Sequence, residues 1–249
     1  MARKSVHRPA TRKRNADPPG TAALLCGELG RWTVGHQCFA ALDLPDGTAR
    51  RIFSSNVNVP ESRNAMLTSC AGEWLAMIDD DQVYAPEMIR RLVSHLRDPR
   101  VDIVTPLVLR RDPPHLPMLL GPPENPIDDP LALPQVVLNA GDTGLLEVHA
   151  AGTSVMVMRR AVIDRVQEPW FEFGAAIGED YNFCLKAQAA GCRIFCDIDT
   201  RVGHVIPMAV WPHRTEDGSH GVKYTLVPSV GSQDGVMAIV RRLESADPQ

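Results

Sequence analysis

The sequence predicts an α/β fold with a mostly parallel central sheet flanked by helices, and three observations carry that expectation. Segments such as Thr21–Cys26 and Trp74–Ile78 are apolar without polar alternation, which suits strands buried on both faces. Strand-like and helix-like segments alternate four times between Thr21 and Thr105, the order that builds βαβ units with right-handed crossovers. The segment Trp74–Ile78 runs into Asp79, Asp80 and Asp81, at the carboxyl rim where open sheets bind ligands.

Residues 1–18 are basic and carry no acid before Asp17, so a disordered segment is expected ahead of Asp17-Pro18-Pro19-Gly20. Thr21–Cys26 is the first strand, and Gly27 and Gly30 permit a tight turn into a helix near Thr33–Leu42. Asp46-Gly47 turns the chain into a second strand, Arg51–Ser54, followed by a polar loop to Pro60. Pro60, Glu61 and Ser62 open a helix that carries Arg63 and Asn64, and Gly72 turns it into the central strand. Beyond the acidic turn, Pro86 suits a first helical position, and Met88, Ile89, Leu92, Val93 and Leu96 share one helix face. Val101–Thr105 is the next strand.

The pattern then changes. Residues 110–134 hold eight prolines, which argues for a surface insertion or lid without regular elements. Strands are expected at Gln135–Leu138, Leu145–His149 and Ser154–Met158, then a helix over Arg160–Gln167. Gly178-Glu179-Asp180 opens a further helix that Gly191 ends. Arg193–Cys196 and Arg201–Val205 are strand candidates, and the tail after Pro207 carries one weak helix at Val236–Leu243. The domain expected is therefore 19–206, with 207–249 as a tail or lid.

Composition narrows the function classes. The 249 residues are 44% hydrophobic and 22% charged, an ordinary soluble balance, and no apolar run approaches the ~18 residues a membrane span needs. The basic start has no apolar core behind it, so a cytoplasmic protein is expected. A net charge of −4 gives no general attraction to nucleic acid. The six cysteines form no CxxC pair and read as reduced, buried residues; Cys192 and Cys196 have no evident partners for a zinc site.

The acidic turn carries the chemistry. Side chains alternate along an extended segment, so Asp79 and Asp81 point one way and Asp80 the other. Two converging carboxylates repel unless a cation lies between them, and hard oxygen ligands suit Mn2+ or Mg2+. A solvated acidic turn is the plainer alternative. Glu179 and Asp180 equally suit a first helical turn, where acids complement the macrodipole.

Five ordered features resemble nucleotide-sugar glycosyltransferases of the GT-A fold, in particular the family-2-like group. They are Arg63-Asn64, the run Gly72–Asp81 ending in a DxD, the segment Gly152–Arg160, the segment Gly178–Gly191 with its Glu-Asp pair, and Val202-Gly203-His204. The resemblance implies a mixed, mostly parallel sheet and a donor site formed by Arg63, Asn64, Asp79 and Asp80. It implies a metal, Mn2+ or Mg2+, on Asp79, Asp81 and His204, with Asp80 raising the local negative field. It makes Asp180 the base that deprotonates the acceptor hydroxyl, with Glu179 as second choice, and places Trp170 and Phe171 against the acceptor sugar.

Inverting transfer from a UDP-sugar, or a GDP-sugar, is the leading expectation. Retaining transfer, a non-catalytic binding protein and a pyrophosphorylase-like enzyme are its rivals. Gly27–Gly30 lacks the Pro-x-Tyr/Asn start of the group, and Ser54, Ser55 and Asn56 stand where an acid commonly meets uracil, so the base stays open. No Gln-x-x-Arg-Trp motif is present, which speaks against a processive synthase. Asp197 and Asp199 form a rival DxD, placed later in the chain than the family pattern puts its metal pair.

Overall fold

A computed structural model describes residues 17–27, 33–54, 58–124, 131–214, 216 and 219–226. The chain runs β1 (Thr21–Cys26), α1 (Thr33–Ala40), β2 (Ala49–Ser54), α2 (Val59–Thr68), β3 (Trp74–Asp79), β4 (Gln82–Val83), α3 (Met88–His95), β5 (Ile103–Val108), β6 (Leu119–Leu120), β7 (Leu145–Val148), β8 (Ala150–Ala151), β9 (Val155–Arg159), α4 (Arg160–Arg165), α5 (Glu179–Ala189), β10 (Ile194–His204), β11 (Met208–Arg214) and β12 (His220–Leu226). The main sheet has the order β2-β1-β3-β9-β5-β10-β4, with β7 also paired to β10. Strands β2, β1, β3, β5 and β10 run one way, while β9, β4 and β7 run against them. The sheet is thus mixed and mostly parallel.

Alternation along β3 divides the core. Trp74, Ala76 and Ile78 pack in a cluster with Phe39 of α1 and with Ile89, Leu92 and Val93 of α3. Leu75 and Met77 pack on the other face with Met66 and Leu67 of α2, Ile163 of α4 and Phe183 and Ala187 of α5. Each of these β3 side chains is fully buried, and truncating Met77 to alanine would cost about 2–5 kcal/mol. The same alternation continues past the strand. Asp79 falls on the α2 and α5 side, and Asp80 on the α1 side.

Local chemistry explains the elements around the rim. Asn58 caps α2, its Oδ1 accepting from the Glu61 N–H at 2.9 Å while its amide donates to Glu61 Oε1 at 3.1 Å. Helix α1 lies so close to the acidic turn that a Cβ at Gly35 would sit 1.8 Å from the Asp80 carbonyl oxygen. Gly191 follows α5 with φ +76°, the left-handed conformation anticipated for a residue ending that helix.

Several expectations change. Gln135–Leu138 is not a strand; only a single bridge, Leu120 to Gln135, forms there. The Pro-rich insertion does contain a regular piece, β6, which pairs with β8. Arg193–Cys196 and Arg201–Val205 are parts of one strand, β10, whose register against β5 shifts between Asp197 and Arg201. The shift falls at Pro106, which has no N–H to offer the ladder. The tail after Pro207 forms an antiparallel hairpin, β11–β12. The basic segment 1–16, Glu28 to Gly30, Ser55 and Asn56, and Val236–Leu243 lie outside the described residues. Among the described residues no helix is long and apolar enough to cross a membrane.

Candidate active site

Asp79 ends β3, its N–H held by the Ser154 carbonyl at 2.8 Å. Arg63 of α2, 5% exposed, donates from Nη2 to Asp79 Oδ2 at 3.1 Å and from Nη1 to the Thr153 carbonyl at 3.3 Å. Its Nε lies 3.8 Å from Glu179 Oε1 in the first turn of α5. Arg63 therefore joins two carboxylates from different elements. Asp79 Oδ1 is buried and accepts no hydrogen bond. Burial raises the Asp79 pKa to about 6, because the loss of solvation exceeds the help from the Arg63 charge, and the Asp81 charge adds to the rise.

Asp81 meets His204 through strand pairing. Gly203 and His204 of β10 pair with Val83 and Gln82 of β4, and the Val205 N–H donates to the Asp81 carbonyl at 2.8 Å. His204 Nδ1 lies 2.9 Å from the Leu109 carbonyl, which can only accept, so Nδ1 carries the proton. Nε2 then faces Asp81 Oδ2 at 3.4 Å. Two electron-rich atoms in that position need a proton or a metal cation between them. Although burial opposes a charged imidazole, the Asp81 carboxylate holds the His204 pKa up. Burial likewise opposes the Asp81 charge, yet His204, Arg111 and Gln82 together hold its pKa down.

Two of those partners are residues the sequence reading did not single out. Gln82 Nε2 donates to Asp81 Oδ1 at 2.7 Å, and Arg111 Nη1, from the Pro-rich insertion, lies 3.4 Å from Asp81 Oδ2. The signal for Arg111 was present in the pair Arg110-Arg111, which leaves β5 at the same rim as the carboxylates.

On α5, Asp180 Oδ1 accepts from the Tyr181 N–H at 2.8 Å. Burial raises its pKa, with the Glu179 charge adding to the effect, so this carboxylate holds a proton more readily than an exposed one. Asn64 is committed to positioning: its Nδ2 donates to the Phe171 carbonyl at 2.9 Å and its Oδ1 accepts from the Phe171 N–H at 2.8 Å. Trp170 and Phe171, expected against an acceptor sugar, are both buried. Phe171 is 1% exposed and stacks on Phe183 at 4.4 Å, and Trp170 donates its indole N–H to the Ile163 carbonyl at 3.0 Å. The exposed aromatic of this segment is Phe173.

Asp80 stands apart from Asp79 and Asp81. It lies on the α1 face of the sheet with Cys26 and His36. The rival pair is internally satisfied: Asp197 accepts from Arg91 Nε at 2.7 Å and Nη2 at 3.1 Å, from the Thr200 hydroxyl at 2.8 Å and from the Asp199 N–H at 3.1 Å, and meets His95 Nε2 at 2.9 Å.

A mixed, mostly parallel sheet flanked by helices on both faces is the GT-A class of α/β fold. Residues 44–216 match the family described as "Glycosyltransferase like family 2", and the chain belongs to that family. Among solved structures, A197 from STIV superposes with a TM-score of 0.54 at 15% identity, over 86% of this chain and 98% of that one. GalNAc-T7, solved with UDP, GalNAc and Mn2+, gives 0.52 at 12% identity, over 74% of this chain and 43% of its own. S. aureus TarS gives 0.48 at 12% identity, over 74% of this chain and 60% of that one. The chain thus spans less than half of the GalNAc-T7 chain. No curated protein matches it in sequence.

Proposed function

We propose that the protein is a metal-dependent glycosyltransferase that moves a sugar from a nucleoside diphosphate, UDP before GDP, to an acceptor hydroxyl with inversion. The observation that carries this reading is the contact of Asp81 with His204 at the carboxyl rim, where Asp79 is tied through Arg63 to the Glu179-Asp180 pair of α5. The donor set fits a hard cation. Asp79 Oδ1 is buried without a hydrogen bond, and His204 has its Nδ1 committed to Leu109 so that Nε2 faces Asp81. Asp81 and His204 would hold Mn2+ or Mg2+, with Asp79 joining them only if its carboxylate shifts toward the pair, and the ion when bound would neutralise charge on the departing diphosphate. GalNAc-T7, which shares the fold, is solved with UDP and Mn2+, and this supports the choice of both.

The remaining roles belong to the chain. Arg63 fixes the Asp79 carboxylate and, through Glu179, the start of α5. Arg111 brings a second positive charge to the side of Asp81 where diphosphate charge would collect. Asp180, its pKa raised, accepts the proton of the attacking hydroxyl, and Asn64 ties the segment before α5 to α2. The test is thermal stability against UDP, GDP, dTDP and their sugars, with and without Mn2+, for wild type and Asp81→Ala. A Mn2+-dependent rise with one nucleotide, absent in Asp81→Ala, is the expected result; no rise with any nucleotide overturns the donor site. Asp180→Asn is expected to bind the donor and fail to transfer, and substantial transfer by that variant would instead favour a retaining reaction.

A further inference from the structure

We propose that Cys26, His36 and Asp80 form a second metal site, selective for a borderline ion of the Zn2+ class, on the opposite face of the sheet from Asp79 and Asp81. One ligand atom from each of the three residues lies within 4.8 Å of the other two, and Cys26 and Asp80 are buried while His36 is half-buried. Cys26 Sγ and His36 Nε2 are 3.3 Å apart. A tetrahedral ion with Zn–S near 2.3 Å and Zn–N near 2.0 Å separates those two atoms by roughly 3.5 Å. The observed spacing needs only a small adjustment.

The ligands come from three elements that the fold holds firmly together. Cys26 is the last residue of β1, His36 lies in α1, and Asp80 follows β3. The Asp80 N–H donates to the Leu25 carbonyl at 3.0 Å, which fixes the acidic turn to β1. Gly35, next to His36, lets α1 approach the Asp80 carbonyl so closely that no side chain would fit between them. Three protein ligands leave one position of a tetrahedral ion for water or another small ligand.

Chemistry separates the two sites. A thiolate and an imidazole select Zn2+, Co2+ and similar ions over Mn2+ and Mg2+, whereas the carboxylate-rich Asp79/Asp81 side favours the harder pair. The plainer account of the Cys26 contact is a thiol hydrogen bond to His36, and the two accounts differ in what cobalt does. This inference stands independently of the donor reading.

The test adds Co2+ to the metal-stripped full-length chain and follows the near-ultraviolet sulfur-to-cobalt charge-transfer band. Wild type and Asp81→Ala are both expected to show the band at one equivalent, and added Zn2+ to remove it. Cys26→Ser is expected to lose it while keeping the wild-type circular dichroism. His36→Ala, a change at a half-buried position, is expected to weaken Zn2+ binding at least ~100-fold, the upper range for losing even an outer-shell partner. No band in wild type, or a band that survives in Cys26→Ser, overturns the proposal. A band lost in Asp81→Ala overturns the separation of the two sites. Should Cys26→Ser fail to fold, the wild-type band and the His36→Ala affinity decide the matter.

Discussion

Two acidic pairs of the same spelling lie on this sheet, Asp79 and Asp81 where β3 ends and Asp197 and Asp199 within β10, and Asp79 and Asp197 have surroundings that give them opposite characters. Asp197, with a fully buried side chain, is met by Arg91, His95, Thr200 and the Asp199 N–H, and Asp199 accepts from the Gly144 N–H at 3.1 Å. Asp79 has one strong partner, Arg63, and one buried oxygen with none; Asp81 shares a rim with His204 and the half-exposed Arg111. Although burial works against both charges, the partners win at Asp197, whose pKa is lowered to about 2, and lose at Asp79, whose pKa is raised to about 6. Asp81 and Asp197 have partners that support their charge, and Asp79 alone of the four carboxylates combines a raised pKa with a buried oxygen that accepts no hydrogen bond.

The largest expected effect is on transfer. Asp81→Asn should lower the rate of nucleotide release from the donor by ~10²–10³-fold, as the loss of one preorganised charge-stabilising group does. Asp197→Asn should leave the rate per folded molecule near wild type, and an equal loss in the two variants would break the distinction between the pairs.

Stability against pH comes next, because the two acids have opposite signs. An aspartate raised from the ordinary 3.8 to about 6 weakens the fold above pH 6 and ceases to do so as pH falls through 6 toward 3.8. Asp79→Asn should thus strengthen the metal-free protein by up to about 3 kcal/mol above pH 6, read from denaturant midpoints. A loss of stability at neutral pH in that variant would show that the Arg63 pairing outweighs the strain.

Mn2+ sharpens the comparison from the other direction. At about a hundredfold excess over its dissociation constant a bound ion adds ~2.7 kcal/mol, or roughly 5–10 °C for a domain of this size. Asp197→Asn should keep that shift and Asp81→Ala lose it.

The smallest effect is expected at Asp197 itself. A pKa lowered to about 2 contributes stability that is complete above the unfolded value of 3.8 and is lost as pH falls toward 2. Asp197→Asn should cost about 2 kcal/mol near neutrality and flatten the acid limb of the melting curve between those values. Arg91 is 46% exposed and keeps Asp199 at 3.6 Å, so it can return to water or stay paired, which keeps the cost below that of a fully buried pair.

Much of the framework was legible from local chemistry. The unbroken apolar runs give β1 and β3 because a strand covered on both faces needs no polar alternation. The apolar face of α3 was readable because helical periodicity is a property of neighbouring residues. The alternation that sends Asp79 and Asp80 to opposite faces is equally local, and so is the left-handed glycine that follows α5.

Partners across the sheet are a different matter. Which acidic pair is satisfied depends on β10 bulging at Pro106 to give Asp197 to Arg91 and His95. The Asp81 to His204 contact depends on β4 pairing with the far end of β10, and Arg111 arrives from an insertion whose path no periodicity describes. Trp170 and Phe171 were expected against an acceptor sugar, and only the folded chain shows Phe171 stacked on Phe183 of α5 and the Trp170 indole N–H on the Ile163 carbonyl. The sequence by itself determined the strands and helices of the first half of the chain, from β1 to β5 apart from the short β4, and where carboxylates stand along the rim. Only the tertiary structure decided which of those carboxylates are neutralised from within and which are left facing a rim, because side-chain pairing across a mixed sheet is set by strand order and register, and these are long-range properties of the folded chain.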